Sequence, residues 1–280
     1  MLERRYDMAR EKISEINEPD HSEHKTNIIV IVQARMGSSR LPGKVMMDIV
    51  GKPLIWHIVN RLKYSKLLNQ IIVATGNGEE NNVIEGLCEE YNIDYYKGSE
   101  EDLIDRYYQT SKLFNADVVV RIPADCPLVD PEIVDKVVGF FLKNINSYDY
   151  VNNSRPHTTY PHGLDVEVFS LCLLEKLWRE IKNPFRREWF TTVISENPEI
   201  YKIFCLENDV DLSHLRLTVD YKEDLKLVRY IFKNLYTENA CFTLKDILEL
   251  YSRNQKIFNI NQKYKKDEQY FEELEKRRFL

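Results

Sequence analysis

Residues 27–44 read NIIVIVQARMGSSRLPGK, and the first half of that stretch sets the fold class. Ile28 through Val32 is an unbroken β-branched run. A strand that is apolar at every position must be covered on both faces, which happens in parallel sheets flanked by helices. The second half changes character: glycines, serines, a proline and the cations Arg35, Arg40 and Lys44 follow without a break.

Downstream, the same alternation repeats. KPLIWHIVNRLKYSK (52–66) has helical spacing, QIIVATG (70–76) is a second buried strand, and EENNVIEGLCEEYN (79–92) a second helix. IDYYKG (93–98) is a weak third strand, SEEDLIDRYYQTSKLFN (99–115) a third helix, and ADVVVRIPAD (116–125) a strong fourth strand. This pattern predicts an α/β fold with a mostly parallel sheet and helices on both faces. Such sheets place ligands at the carboxyl ends of their strands, so the loops after Ala34, Ala74 and Pro123 form the candidate site.

From about Tyr148 the alternation stops. DYVNNS and HGLDVEVFS read as an antiparallel pair, a hairpin at 148–170 around a loop with prolines and histidines. LCLLEKLWREIK reads as a helix, YKIFCLEN and HLRLTVD as strand-like segments, and KEDLKLVRYIFKNLY and FTLKDILELYSRN as helices. The expected organisation is a helical extension with linker at 1–26, one domain at 27–250, and a charged helical tail at 251–280.

Composition bounds the function. With 39 basic against 45 acidic residues the net charge is −6, which argues against general nucleic-acid binding. Five cysteines without C-x-x-C spacing suit a reducing compartment and argue against zinc. No apolar run approaches the ~20 residues of a membrane span, and the N-terminus is charged where a signal peptide is apolar. The expectation is a cytoplasmic protein that engages neither membrane nor nucleic acid.

Freed backbone amides, serine hydroxyls and fixed positive charge make residues 33–44 a phosphate cradle, although not the P-loop pattern. The candidate loops contribute Gln33, Ala34, Arg35, Gly37, Ser38, Arg40, Lys44, Thr75, Arg121 and Ala124 as expected ligand contacts. Asp125, bracketed by Pro123 and Pro127, is placed to hold Mg²⁺ against phosphate oxygens. Asp130, just before PEIVDKVVGFF, reads as a helix N-cap. Asp220 alone reads as a helix cap and Asp224 as an ordinary first-turn acid. His157 and His162 flank an aromatic, proline-containing loop expected to contact substrate, with Glu167 and Trp189 expected near the same pocket.

Taken together, QARMGSSRLPGKVMMDIVGKPLIWHIVNRL (33–62), IIVATG (71–76), YYKGSEEDLIDRY (95–107), VVRIPADCPLVDPEIVD (119–135), GLDVEVFS (163–170) and RLTVDYKEDLKLV (216–228) resemble the cytidylyltransferases that activate sugar acids, including acylneuraminate and 3-deoxy-manno-octulosonate types, and most closely the SpsF-like spore-coat polysaccharide branch. The resemblance implies a Rossmann-like nucleotidyltransferase fold of the GT-A-like kind. It implies that Arg35, Ser38, Arg40 and Lys44 hold the triphosphate of CTP and that main chain near Gln33 and Ala34 reads cytosine. Asp125 and Asp220 would share Mg²⁺, and a homodimer would form through the 148–170 region. The catalytic set it implies is Arg35, Arg40, Lys44, Asp125 and Asp220, moving CMP onto a small acidic acceptor with release of pyrophosphate. Two departures stand out: Ala124 where the family often has Gly, and Arg187-Glu188-Trp189-Phe190-Thr191 where it reads R-E-H-V-T, so the acceptor end differs.

Two other readings remain open at this level. A nucleotide-sugar glycosyltransferase would need a D-x-D metal motif, for which Asp165-Val166-Glu167 and Asp209-Val210-Asp211 are the approximate matches. A catalytically silent nucleotide-binding homologue is the other.

Overall fold

The computed structural model describes residues 25–237, 241–266, 270–272 and 274–275. The expected N-terminal helix and part of the terminal helix lie outside the described residues. β1 (Ile28–Ala34) is an interior strand of a seven-stranded sheet. Beyond the loop that follows it, β2 (Asp48–Ile49) and β3 (Lys52–Pro53) form a separate two-stranded antiparallel sheet. The remaining strands are β4 (Gln70–Gly76), β5 (Asp94–Gly98), β6 (Val118–Pro123), β7 (Tyr150–Asn152), β8 (Glu167–Ser170) and β9 (Ile203–Cys205).

The spatial order is β5-β4-β1-β6-β8-β7-β9. β1 pairs in parallel with β4 and β6, β4 with β5, and β7 with β9, while β8 runs against both β6 and β7. The antiparallel pair expected at 148–170 therefore forms, and it continues the main sheet.

Alternate side chains of β1 feed two different cores. Val30 and Val32 pack with α1 (Leu54–Leu62), α2 (Asn82–Glu90) and, through Ile133 and Val137, the helix that follows β6. Ile29 and Ile31 pack on the other side with α3 (Leu103–Leu113), through Ile104 and Tyr107. That is why the run could contain no polar residue: each fully buried Val or Ile contributes roughly 1.5–3 kcal/mol, and both faces are dry. The helix after β6 is α4 (Pro131–Lys143), capped by Asp130, whose carboxylate accepts from the Glu132 amide at 2.9 Å as the sequence predicts. Further along come α5 (Leu171–Glu180), α6 (Pro184–Glu188), α7 (Phe190–Ser195), α8 (Lys222–Leu235), α9 (Leu244–Arg253) and α10 (Gln255–Phe258).

HLRLTVD, read as strand-like, joins no sheet. It makes one bridge, His162 with Arg216. Gly163, at φ +106°, turns its partner chain, and a Cβ there would stand 2.4 Å from the Thr218 nitrogen. The rest of the segment bonds elsewhere: the Val219 amide donates to the Asp125 carbonyl at 2.8 Å, and so does the Thr218 hydroxyl at 3.0 Å. RLTVD is thereby threaded against the loop after β6, which delivers Asp220 beside Asp125.

Candidate active site

The loop leaving β1 is folded on itself. Amides of Ser38 and Gly43 both donate to the Met36 carbonyl at 2.9 Å, and Gly43 adopts φ 71°, a left-handed conformation that costs glycine nothing. Leu41, buried, pins the loop to the core, while Asn81 accepts from the Met36 amide at 2.9 Å. A 3-10 turn at Lys44–Met46 then points Lys44 inward.

Lys44 Nζ lies between two carboxylates, donating to Asp125 Oδ2 at 3.1 Å and to Asp220 Oδ1 at 2.9 Å. Arg40 reaches the same Asp220 oxygen at 2.5 Å, and Arg216 donates to the other, Oδ2, at 2.9 Å. Burial alone would raise the Asp220 carboxyl, but the Lys44 and Arg40 charges outweigh it and hold it well below the usual carboxylate range. Burial likewise opposes the Lys44 charge, and Asp125 and Asp220 more than restore it. Arg40, Lys44 and Asp220 are thereby held in their charged forms.

These groups line an open cavity of about 570 Å³ at the carboxyl end of the sheet. Gln33, Ala34, Arg35, Gly37, Ser38, Arg40, Lys44, Arg121, Ala124, Asp125 and Asp220 all face it, together with His162, Glu167 and Trp189. Two sequence candidates do not. Thr75 is buried in β4 beside Ala34, its hydroxyl without a partner among the described residues, and His157 lies exposed away from the lining.

Several positions hold other members in place. Arg121 on β6 faces Glu167 on β8 at 2.6 Å and donates from Nε to Gln33 Oε1 at 3.1 Å. Arg216 Nη1 lies 3.0 Å from His162 Nδ1, which must therefore accept; burial lowers this imidazole and keeps it neutral. Arg35 pairs with Glu188 at 3.1 Å.

The sequence reading missed Arg155, Tyr221, Lys265 and Lys266 in the lining and the roles of Arg216 and Asp224. Asp224 is fully buried and bonded to Arg216 Nε at 2.9 Å. Its signal was present, because an arginine in an apolar segment eight residues earlier needs a buried partner. Neither D-x-D candidate forms a free carboxylate pair. Asp165 is paired with Lys266 at 2.8 Å and Glu167 with Arg121, while Asp209 and Asp211 lie outside the cavity lining.

For a divalent cation the two expected carboxylates are unequal. Both oxygens of Asp220 accept from cationic side chains. Asp125 keeps a partly exposed carboxylate (27%) facing the cavity, with Oδ2 on Lys44 and Oδ1 accepting from the Cys126 thiol. Among the described residues no three His, Cys, Asp or Glu side chains converge as a metal cage. The donor set fits a magnesium ion held largely by phosphate and water with one carboxylate, Asp125.

The family model described as Cytidylyltransferase matches residues 29–264. The chain belongs to the cytidylyltransferase family. An uncharacterised protein of Methanocaldococcus jannaschii is 39% identical over 236 residues, covering 84% of this cytidylyltransferase and 94% of that protein. The spore coat polysaccharide biosynthesis protein SpsF of Bacillus subtilis is 28% identical over 235 residues, 81% and 95% of the two chains. A solved cytidylyltransferase from Leptospira borgpetersenii serovar Hardjo-bovis superposes with a TM-score of 0.80 at 32% identity, covering 84% of this chain and 97% of that one. This cytidylyltransferase is a nucleotidyltransferase of mostly parallel Rossmann-like fold, as its sequence implies.

Proposed function

We propose that the protein transfers CMP from CTP to a small acidic acceptor, a sugar acid, and releases pyrophosphate. The observation that carries this reading is the meeting of Arg40, Lys44, Asp125 and Asp220 in one cavity at the sheet's carboxyl end. Arg35, Ser38, Arg40 and Lys44 would hold the triphosphate, whose negative charge takes over the role that Asp220 plays toward Arg40 and Lys44. Gln33 and Ala34, fixed by the pairing of β1 with β4 and β6, would present main chain to cytosine.

Asp125 would hold Mg²⁺, which supplies charge neutralisation on the phosphates when bound. Asp220 acts through Arg40 and Lys44, aligning them by ion pairing. The acceptor oxygen attacks the α-phosphorus in line with the departing pyrophosphate, and catalysis rests on positioning and on cations already in place. SpsF, by name, serves polysaccharide biosynthesis; we extend activated-sugar and surface-polysaccharide synthesis to this chain.

We further propose a cytoplasmic homodimer. Among the described residues all five cysteines are free, which suits a reducing compartment, and no helix is long and apolar enough to cross a membrane.

Incubation of the pure protein with CTP, Mg²⁺ and a panel of sugar acids should release pyrophosphate and form a CMP adduct. No CTP binding together with silence across the panel would sink the reading.

A further inference from the structure

The shared family region ends at residue 264, yet the cavity does not. Lys265, Lys266, Tyr270 and Glu272, all beyond that limit, line the same cavity as Arg40 and Lys44. The chain is brought there by specific contacts. Asn261, fully buried, donates to the Arg216 carbonyl at 3.0 Å and to Asp224 Oδ1 at 2.8 Å. Tyr264 then stacks flat on Tyr221, with ring centres 3.6 Å apart and planes 6° from parallel.

Lys266 Nζ lands 2.8 Å from Asp165 Oδ1 and 3.4 Å from the Ser154 carbonyl. Tyr270 sets its ring 5.3 Å from that of Trp189 and 5.7 Å from that of Phe185, and its hydroxyl donates to Glu196. Trp189 is where this sequence departs from the family's acceptor segment. The departure and the added segment meet in one contact.

We propose that Lys266 and Tyr270, carried by chain beyond the shared family region, complete the acceptor subsite with Asp165 and Trp189. The inference rests on the CTP-dependent reading above and deepens it by naming what selects the acceptor. Lys266 binds the acceptor's carboxylate, Asp165 holds the ammonium in place and accepts from a hydroxyl, and the Trp189–Tyr270 wall packs on the apolar face of a sugar ring.

The test uses the full chain and variants Lys266→Ala, Lys266→Arg and Tyr270→Leu. CTP dissociation is measured by calorimetry, and acceptor KM by pyrophosphate release at saturating CTP. The acceptor is whichever acid the wild type turns over fastest in a panel including N-acetylneuraminate and 3-deoxy-manno-octulosonate. We expect Lys266→Ala to raise acceptor KM about tenfold or more, the size of one charge-assisted hydrogen bond, with CTP dissociation unchanged. Lys266→Arg should restore most of the loss, and Tyr270→Leu should raise acceptor KM with CTP binding intact.

Unchanged acceptor KM in Lys266→Ala, or parallel weakening of CTP and acceptor, overturns the assignment. So does a wild type that binds CTP but turns over no acid in the panel. A wild type that binds no CTP fails the parent reading, and this one falls with it.

Discussion

Asp224 accepts from Arg216 Nε and Nη2, from the amides of Asp220 and Tyr221, and from Asn261 Nδ2. One side chain thus caps α8, pairs with a buried arginine and roots the segment that reaches the cavity. Asp224→Ala leaves Arg216 with its charge only partly compensated, and we expect a loss of about 3–5 kcal/mol in urea unfolding. The position looked ordinary in sequence because a first-turn acid is what any helix start offers; its second partner, Arg216, comes from chain folded back by the turn at Asp220. Asp125 and Asp220 separate along the same line. Asp125→Asn should lower kcat and its Mg²⁺ response by about two orders of magnitude while leaving CTP binding near wild type. Asp220→Asn frees Arg40 and Lys44 from their shared partner, so it should mainly raise the KM for CTP. Steady-state kinetics at varied Mg²⁺ distinguish the two outcomes.

Among elements, the legible ones were those whose two faces carry equal demands. β1, β4 and β6 each carry a run of buried apolar residues because helices cover both sides, with polar groups only toward their ends, whereas β5 read weakly because it is an edge strand whose residues are mostly half-buried. RLTVD is buried for a different reason: it is wedged between the turn at Gly163 and the loop after β6, a tertiary cause invisible to periodicity. Helix α1 contains the buried His57, whose Nε2 donates to the Ile49 carbonyl at 2.6 Å. Burial holds this imidazole down at about 4, against 6.5 when exposed. The unfolded chain therefore takes up a proton that the folded chain refuses between those values. His57 contributes fully above pH 6.5, and its contribution drains away as pH falls toward 4. The loss should approach about 3 kcal/mol and stop below pH 4, and His57→Gln, which keeps a donor for Ile49, should flatten that limb of the stability curve.

The whole molecule brings together groups that the sequence spreads widely. The cationic loop and Asp125 were legible because each follows a buried strand, and the proposed acceptor end was not, because its lining comes from the 153–166 connection, α6, α7 and the terminal segment. That same connection bears on assembly. β7 and β8 are each paired on both sides, so the 148–170 region offers a second copy no free strand edge, and its loop leaves Pro156 and His157 exposed. Sedimentation at micromolar concentration should give twice the 33.3 kDa mass, and His157→Glu should shift it toward monomer.

Lys44 and Asp220 are 176 residues apart in sequence and 2.9 Å apart in space. No fragment ending before Asp220 can present the complete site, so ligand occupancy reports on the integrity of nearly the whole domain. CTP or pyrophosphate at a hundred times its dissociation constant should stabilise the fold by about 2.7 kcal/mol, visible as a rise in Tm. With CTP as the proposed substrate, a scarce nucleotide pool would leave more of the chain unliganded and so easier for a protease to find.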